Sequence, residues 1–144
     1  MKYSINLLVF LTSLMPLMSI SCEMSLTGKW KLDFEYYLNS LSKGDADARQ
    51  RLIEIWDGQP FIKIEIDQTK GKFSQKWEGG WSSFDFDYQI LPADKNSCVF
   101  IITAYDDSET GMSESMEIWG TPEGFCWRPL INAEVTDCYV KDRE

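Results

Sequence analysis

The chain has 144 residues, enough for one domain with a core of its own but not for two. Acidic residues outnumber basic ones 23 to 14, a formal charge of −9, so the surface repels phosphate backbones and anionic membranes, and nucleic-acid binding is set aside. Histidine is absent, which removes His-based catalytic triads and most zinc chemistries, while a hydrophobic content of 44% with six Trp is too apolar for a chain that stays unfolded.

Residues 1–21 carry one charge, Lys2, then an apolar stretch from Ile5 to Met18 interrupted by Asn6, Thr12, Ser13 and Pro16, and end on Ser19-Ile20-Ser21. Small residues at the third and first positions before a cut are what a signal peptidase requires, and the stretch falls short of the roughly 20 continuous apolar residues of a permanent span. The expectation is a signal peptide over 1–21 and an exported domain over 22–144, in the periplasm or cell envelope. That domain keeps 13 basic and 23 acidic residues, a formal charge of −10. Cys22, directly after the cut, resembles the lipid-modified cysteine of bacterial lipoproteins. The resemblance implies a lipid anchor there and no other membrane attachment; a freely soluble exported protein is the alternative. Export lets disulfides persist. A lipid on Cys22 leaves three thiols, whereas four free cysteines allow three pairings. Cys126 with Cys138 is the preferred pair, because the two flank the single connection between the last two strands.

From Thr27 the chain alternates Trp30, Leu32 and Phe34 with Lys29, Lys31 and Asp33, the pattern of a half-buried strand. After Tyr36 the period changes. Ala48, Leu52, Ile53 and Trp56 recur at helical spacing behind Asp45 as N-cap, with Gly58 past the end, so one helix is expected between the first two strands, lying against the sheet or closing one end of it. Ile62, Ile64 and Ile66 alternate with charged residues, Thr69-Lys70-Gly71 turns, and Phe73 to Trp77 returns. Phe84, Phe86, Tyr88 and Ile90 alternate with Asp85, Asp87 and Gln89, which makes the sheet antiparallel with one wet face. Further strands are expected at 98–105, 113–119, 124–128 and 135–141. About eight strands at this spacing suit an all-β barrel or sandwich, and consecutive antiparallel strands most simply close on themselves.

Gly28-Lys29-Trp30 opening the first strand, the eight-strand meander, and the segment from Tyr139 to Arg143 closing the chain with a basic residue together resemble the lipocalin-like (calycin) proteins. The resemblance implies a mainly β fold: an antiparallel eight-stranded barrel with one helical insertion after the first strand. It further implies that Trp30 packs across the floor beneath Arg143, and that a small apolar molecule binds within walls drawn from Ile62, Ile64, Phe73, Trp77, Phe84, Phe86, Tyr88 and Phe100. The inserted helix is similar to the arrangement in small bacterial exported proteins with a lipocalin-like domain.

Residues 106–111 with Glu117 place oxygens at the offsets of an EF-hand loop, but Ser and Thr stand where carboxylates or amides are usual and strands flank it; it reads as a polar hairpin turn, and no metal or cofactor is expected. Asp85 and Asp87 share a strand face without a base or nucleophile beside them, and no Ser lies in a Gly-x-Ser-x-Gly turn, so catalysis is not expected. Many bulky aromatics, Trp81, Trp119 and Trp127 among them, favour a barrel filled by its own side chains, which would move function to the outer surface or open end. Two partners are thus carried forward: a small apolar molecule, or a basic protein met by an acid-rich wet face including Asp85, Asp87, Glu109 and Glu114.

Overall fold

A computed structural model describes residues 24–93, 97–105, 111–132 and 134–144. Its order is β1 (Gly28–Leu32), α1 (Phe34–Ser42), α2 (Ala46–Ile55), β2 (Ile62–Ile66), β3 (Lys70–Trp77), β4 (Gly80–Pro92), β5 (Cys98–Tyr105), β6 (Gly111–Gly120), β7 (Gly124–Pro129) and β8 (Asp137–Lys141). Each strand pairs antiparallel with the next, and β8 returns to β1 with Lys31 opposite Val140 and Leu32 opposite Tyr139, so the sheet closes into an eight-stranded barrel. Closure leaves no unpaired edge. The expected signal peptide and Cys22 lie outside the described residues. No helix among the described residues is long and apolar enough to cross a membrane.

The period of two places one side chain of each successive pair inside. Trp30 and Leu32, then Ile62, Ile64 and Ile66, face inward and are buried, and the register carries the same face through Phe86, Phe100, Met116, Ile118, Phe125, Trp127 and Tyr139. At one end Trp30 forms the floor. Its indole Nε1 donates to the Leu26 carbonyl at 2.7 Å, and its ring meets the edge of Phe125 with centroids 5.0 Å apart. The cation over this ring is Lys141, whose Nζ lies 3.9 Å from the centroid and donates to the Thr27 carbonyl. Arg143 does not take that place: it is exposed and lies past the end of β8, whereas Lys141 stands directly opposite Trp30 on the closing strand.

Two helices, where one was expected, fill the connection from β1 to β2. Phe34 continues the alternation of β1 but opens α1, because the Asp33 side chain accepts a hydrogen bond from the Tyr36 N–H and caps a helix there. It is α1 that packs on the barrel, against β8, burying Leu38 and Ser42. The expected helix, α2, has no fully buried residue and leans on α1. An aromatic cluster fixes the pair at the β2 end of the connection. Trp56 stacks on Phe61 at 3.8 Å, and Tyr37 meets Phe61 edge-on at 4.9 Å.

Two outer-face links tie the closing strands. Cys126 and Cys138 stand opposite each other on β7 and β8 and form a disulfide; Cys98 is buried in the wall, and no cysteine among the described residues is free. Asp142, just past β8, sits between Lys31 of β1 at 3.4 Å and Lys63 of β2 at 3.7 Å, its own side chain only 7% exposed.

Candidate functional site

The inward faces do not fill the barrel evenly. Toward the floor, Trp30, Ile64, Phe100, Ile118 and Phe125 are packed without exposed area to speak of. At the opposite end a cavity of about 300 Å³ remains, lined by Ile62, Phe73, Phe84, Phe86, Ile102, Ala104, Glu114, Met116, Trp127, Pro129, Asp137 and Tyr139. The expectation of a filled barrel therefore holds for the lower layers and fails at the mouth. Ala104 and Pro129 contribute little volume to the upper layer.

Four of the eight wall residues named from the sequence, Ile62, Phe73, Phe84 and Phe86, line this cavity. The other four do not. Ile64 and Phe100 are fully buried one layer deeper, where they are core. Trp77 lies beyond the rim on the β3–β4 hairpin, opposite Gly80, and is 56% exposed. Tyr88 is drawn toward the floor, where its hydroxyl donates to the Asp67 carbonyl and its ring lies on Phe100 with centroids 5.0 Å apart. The strand tilt of a barrel explains the split: residues two apart on one strand belong to different layers, so an alternating run cannot all face one cavity.

The remaining walls come from β5 to β8, where the sequence carried a weaker signal. Ile102 and Ala104 share the face of Phe100. Glu114 stands two positions before Met116 and four before Ile118, so it shares their inward register and lines the rim of the mouth, where it stays exposed. Asp137 likewise precedes the inward Tyr139 by two and faces Trp127 across the β7–β8 ladder. Burial raises the Asp137 carboxyl above the ordinary aspartate range. Burial, with the charge of Asp137 close by, also pushes the Tyr139 phenol well up, so it stays a neutral hydroxyl at physiological pH.

The other polar constellations go elsewhere. Asp85 and Asp87 point outward and stand opposite Lys72 and Lys70, so the β3–β4 wall alternates in charge and is not a single acidic patch. Residues 106–110, Glu109 included, lie outside the described residues. Glu117 accepts from Arg128 Nε at 2.6 Å across the β6–β7 ladder. Among the described residues no three potential ligands gather to hold a metal.

The fold and cavity define a class in physical terms: a closed antiparallel barrel with a packed floor and an apolar chamber at its mouth. Set against family models, curated proteins and solved structures, the chain matches none of them.

Proposed function

We propose that this chain is an exported lipocalin-like protein that binds a small apolar molecule in the mouth of its barrel. The observation that carries the reading is the cavity itself. At about 300 Å³ it lies at the small end of the range for small-molecule sites, roughly 300–1,000 Å³, and its walls are apolar side chains with a few polar groups, as such sites usually are. The reading assigns no catalytic step, metal or cofactor. Export is supported by the pattern of residues 1–21 together with the Cys126–Cys138 disulfide, since such bonds persist in oxidising compartments. Binding a basic protein through the acid-rich wall has less support, because lysines stand opposite Asp85 and Asp87 and Glu114 faces inward.

Native mass spectrometry of protein purified from its own cell envelope, joined to titration with the apolar dye N-phenyl-1-naphthylamine, tests the proposal. A bound small molecule, or saturable dye binding at 1:1, is the expected result. Protein that carries nothing and leaves the dye dark would overturn it, and capture of a basic protein that disappears at high salt would favour the other reading. The mass of the N-terminal peptide reports whether the chain begins at Cys22 and whether that residue bears a lipid.

A further inference from the structure

We propose that the molecule held in the mouth carries a cation: an amine with a compact apolar body, whose ammonium sits against Asp137 and Glu114. This inference rests on the ligand-binding reading above and specifies its ligand.

The walls of the cavity are hydrocarbon and aromatic, yet the two charged side chains among its lining residues are both carboxylates, and no Lys or Arg lines it. Both carboxylates are inward by strand register, Glu114 opposite Ile102 and Asp137 opposite Trp127. Glu114 stays exposed at the rim, but Asp137 is half-buried, and an ionised group leaves water only at a cost that a partner must offset. Two other acids that are mostly covered have that partner: Glu117 has Arg128, and Asp142 has Lys31 and Lys63. Among the described residues neither Asp137 nor Glu114 has an ion-pair partner, so the charged groups of the cavity are acceptors only.

The complement of such a chamber is a positive charge with N–H groups on an apolar stem. An ammonium would satisfy the carboxylates with charge-assisted hydrogen bonds, roughly twice as strong as neutral ones, and Trp127 lies beside Asp137 to receive the cation on its ring. Burial already disfavours the charge on Asp137, and an adjacent cation would relieve that penalty. A carboxylate ligand such as a fatty acid would bring a third negative charge into the same low-dielectric space, and is selected against for the same reason.

The test compares three probes of one size, octylamine, octan-1-ol and octanoate, by calorimetric titration at pH 7.5 on the full mature domain and on Asp137→Asn with Glu114→Gln. Both substitutions keep shape and remove charge. Octylamine should bind at least about tenfold more tightly than octanol, equivalent to 1.4 kcal/mol, and octanoate should bind weakest. In the doubly substituted protein the amine's advantage should vanish while octanol affinity stays within a factor of about two to three. Equal binding of amine and alcohol, or an amine preference that survives both substitutions, overturns the cation assignment and leaves the apolar-ligand reading standing. If none of the three binds the native protein, the ligand-binding reading itself fails.

Discussion

Gly71 on β3 lies directly opposite Phe86 on β4, both on the inner face, and an alanine methyl group there would come within 2.1 Å of the ring tip of Phe86. The ring occupies the space that the missing side chain leaves, and Phe86 is only 2% exposed. Two effects of Gly71→Ala oppose each other. Removing a glycine from a strand interior gains roughly 0.5–1 kcal/mol, whereas overpacking a core costs about 1–3 kcal/mol. Phe86 also borders the mouth cavity, so the ring can tip toward it and the cost falls in the lower half of that range. The net expectation for Gly71→Ala is a destabilisation of about 1 kcal/mol with weakened dye binding. Phe86→Ala alone should cost about 3–5 kcal/mol. In the Phe86→Ala background the obstacle is gone, and Gly71→Ala should change sign, stabilising by about 0.5–1 kcal/mol. Urea unfolding of the four proteins closes the cycle. Additivity within about 0.5 kcal/mol would refute the packing of Phe86 over Gly71 and with it the placement of the cavity wall.

Further outcomes follow from the same structure. Replacing Cys126 and Cys138 by Ser opens a loop of sequence separation 12 and should lower stability by about 3 kcal/mol on the chain-entropy account, read from the urea midpoint; an unchanged midpoint would contradict the bond. Asp142→Ala leaves Lys31 and Lys63 facing each other without their shared acid, and because both lysines are partly exposed and can turn to water the cost should be about 1 kcal/mol. A variant as stable as the parent would show that the link at the barrel seam contributes nothing. Because the folded-state pKa of Asp137 is raised, its contribution to stability is fully present below the ordinary aspartate range and is lost as pH rises through the raised value. Without ligand, Asp137→Asn should therefore be the more stable protein at neutral pH, with the gap closing on acidification; a gap that widens on acidification would reverse the assigned shift.

Much of the barrel is legible because its strands bury one face only: Ile62-Ile64-Ile66 and Phe84-Phe86-Tyr88 announce both strand and face without reference to the rest of the chain. The first helix was hidden by the same signal, since Phe34 prolongs the alternation of Trp30 and Leu32, and only the capping Asp33 with Phe34, Tyr37 and Leu38 at helical spacing marks the change. Placing Lys141 and not Arg143 as the cation at the floor requires the register of β8 on β1, which neither residue type reveals. The cavity was half legible. Alternation tells which residues face in, but the layer each one occupies depends on strand tilt and closure, so alternation alone does not separate Ile64 and Phe100, which are core, from the residues that line the cavity. Glu114 reads as part of the acid-rich wet face, although its spacing of two from Met116 already gives it the inward register.

The most direct test of the account is a methyl NMR titration with N-phenyl-1-naphthylamine that locates the dye. Binding in the mouth predicts shifts for the methyl groups of Ile62, Ile102 and Met116, with Leu26 and Ile66 at the floor unmoved. Shifts confined to exposed methyls such as those of Leu130 and Ile131, or no saturable shift at all, would contradict a binding chamber in this barrel.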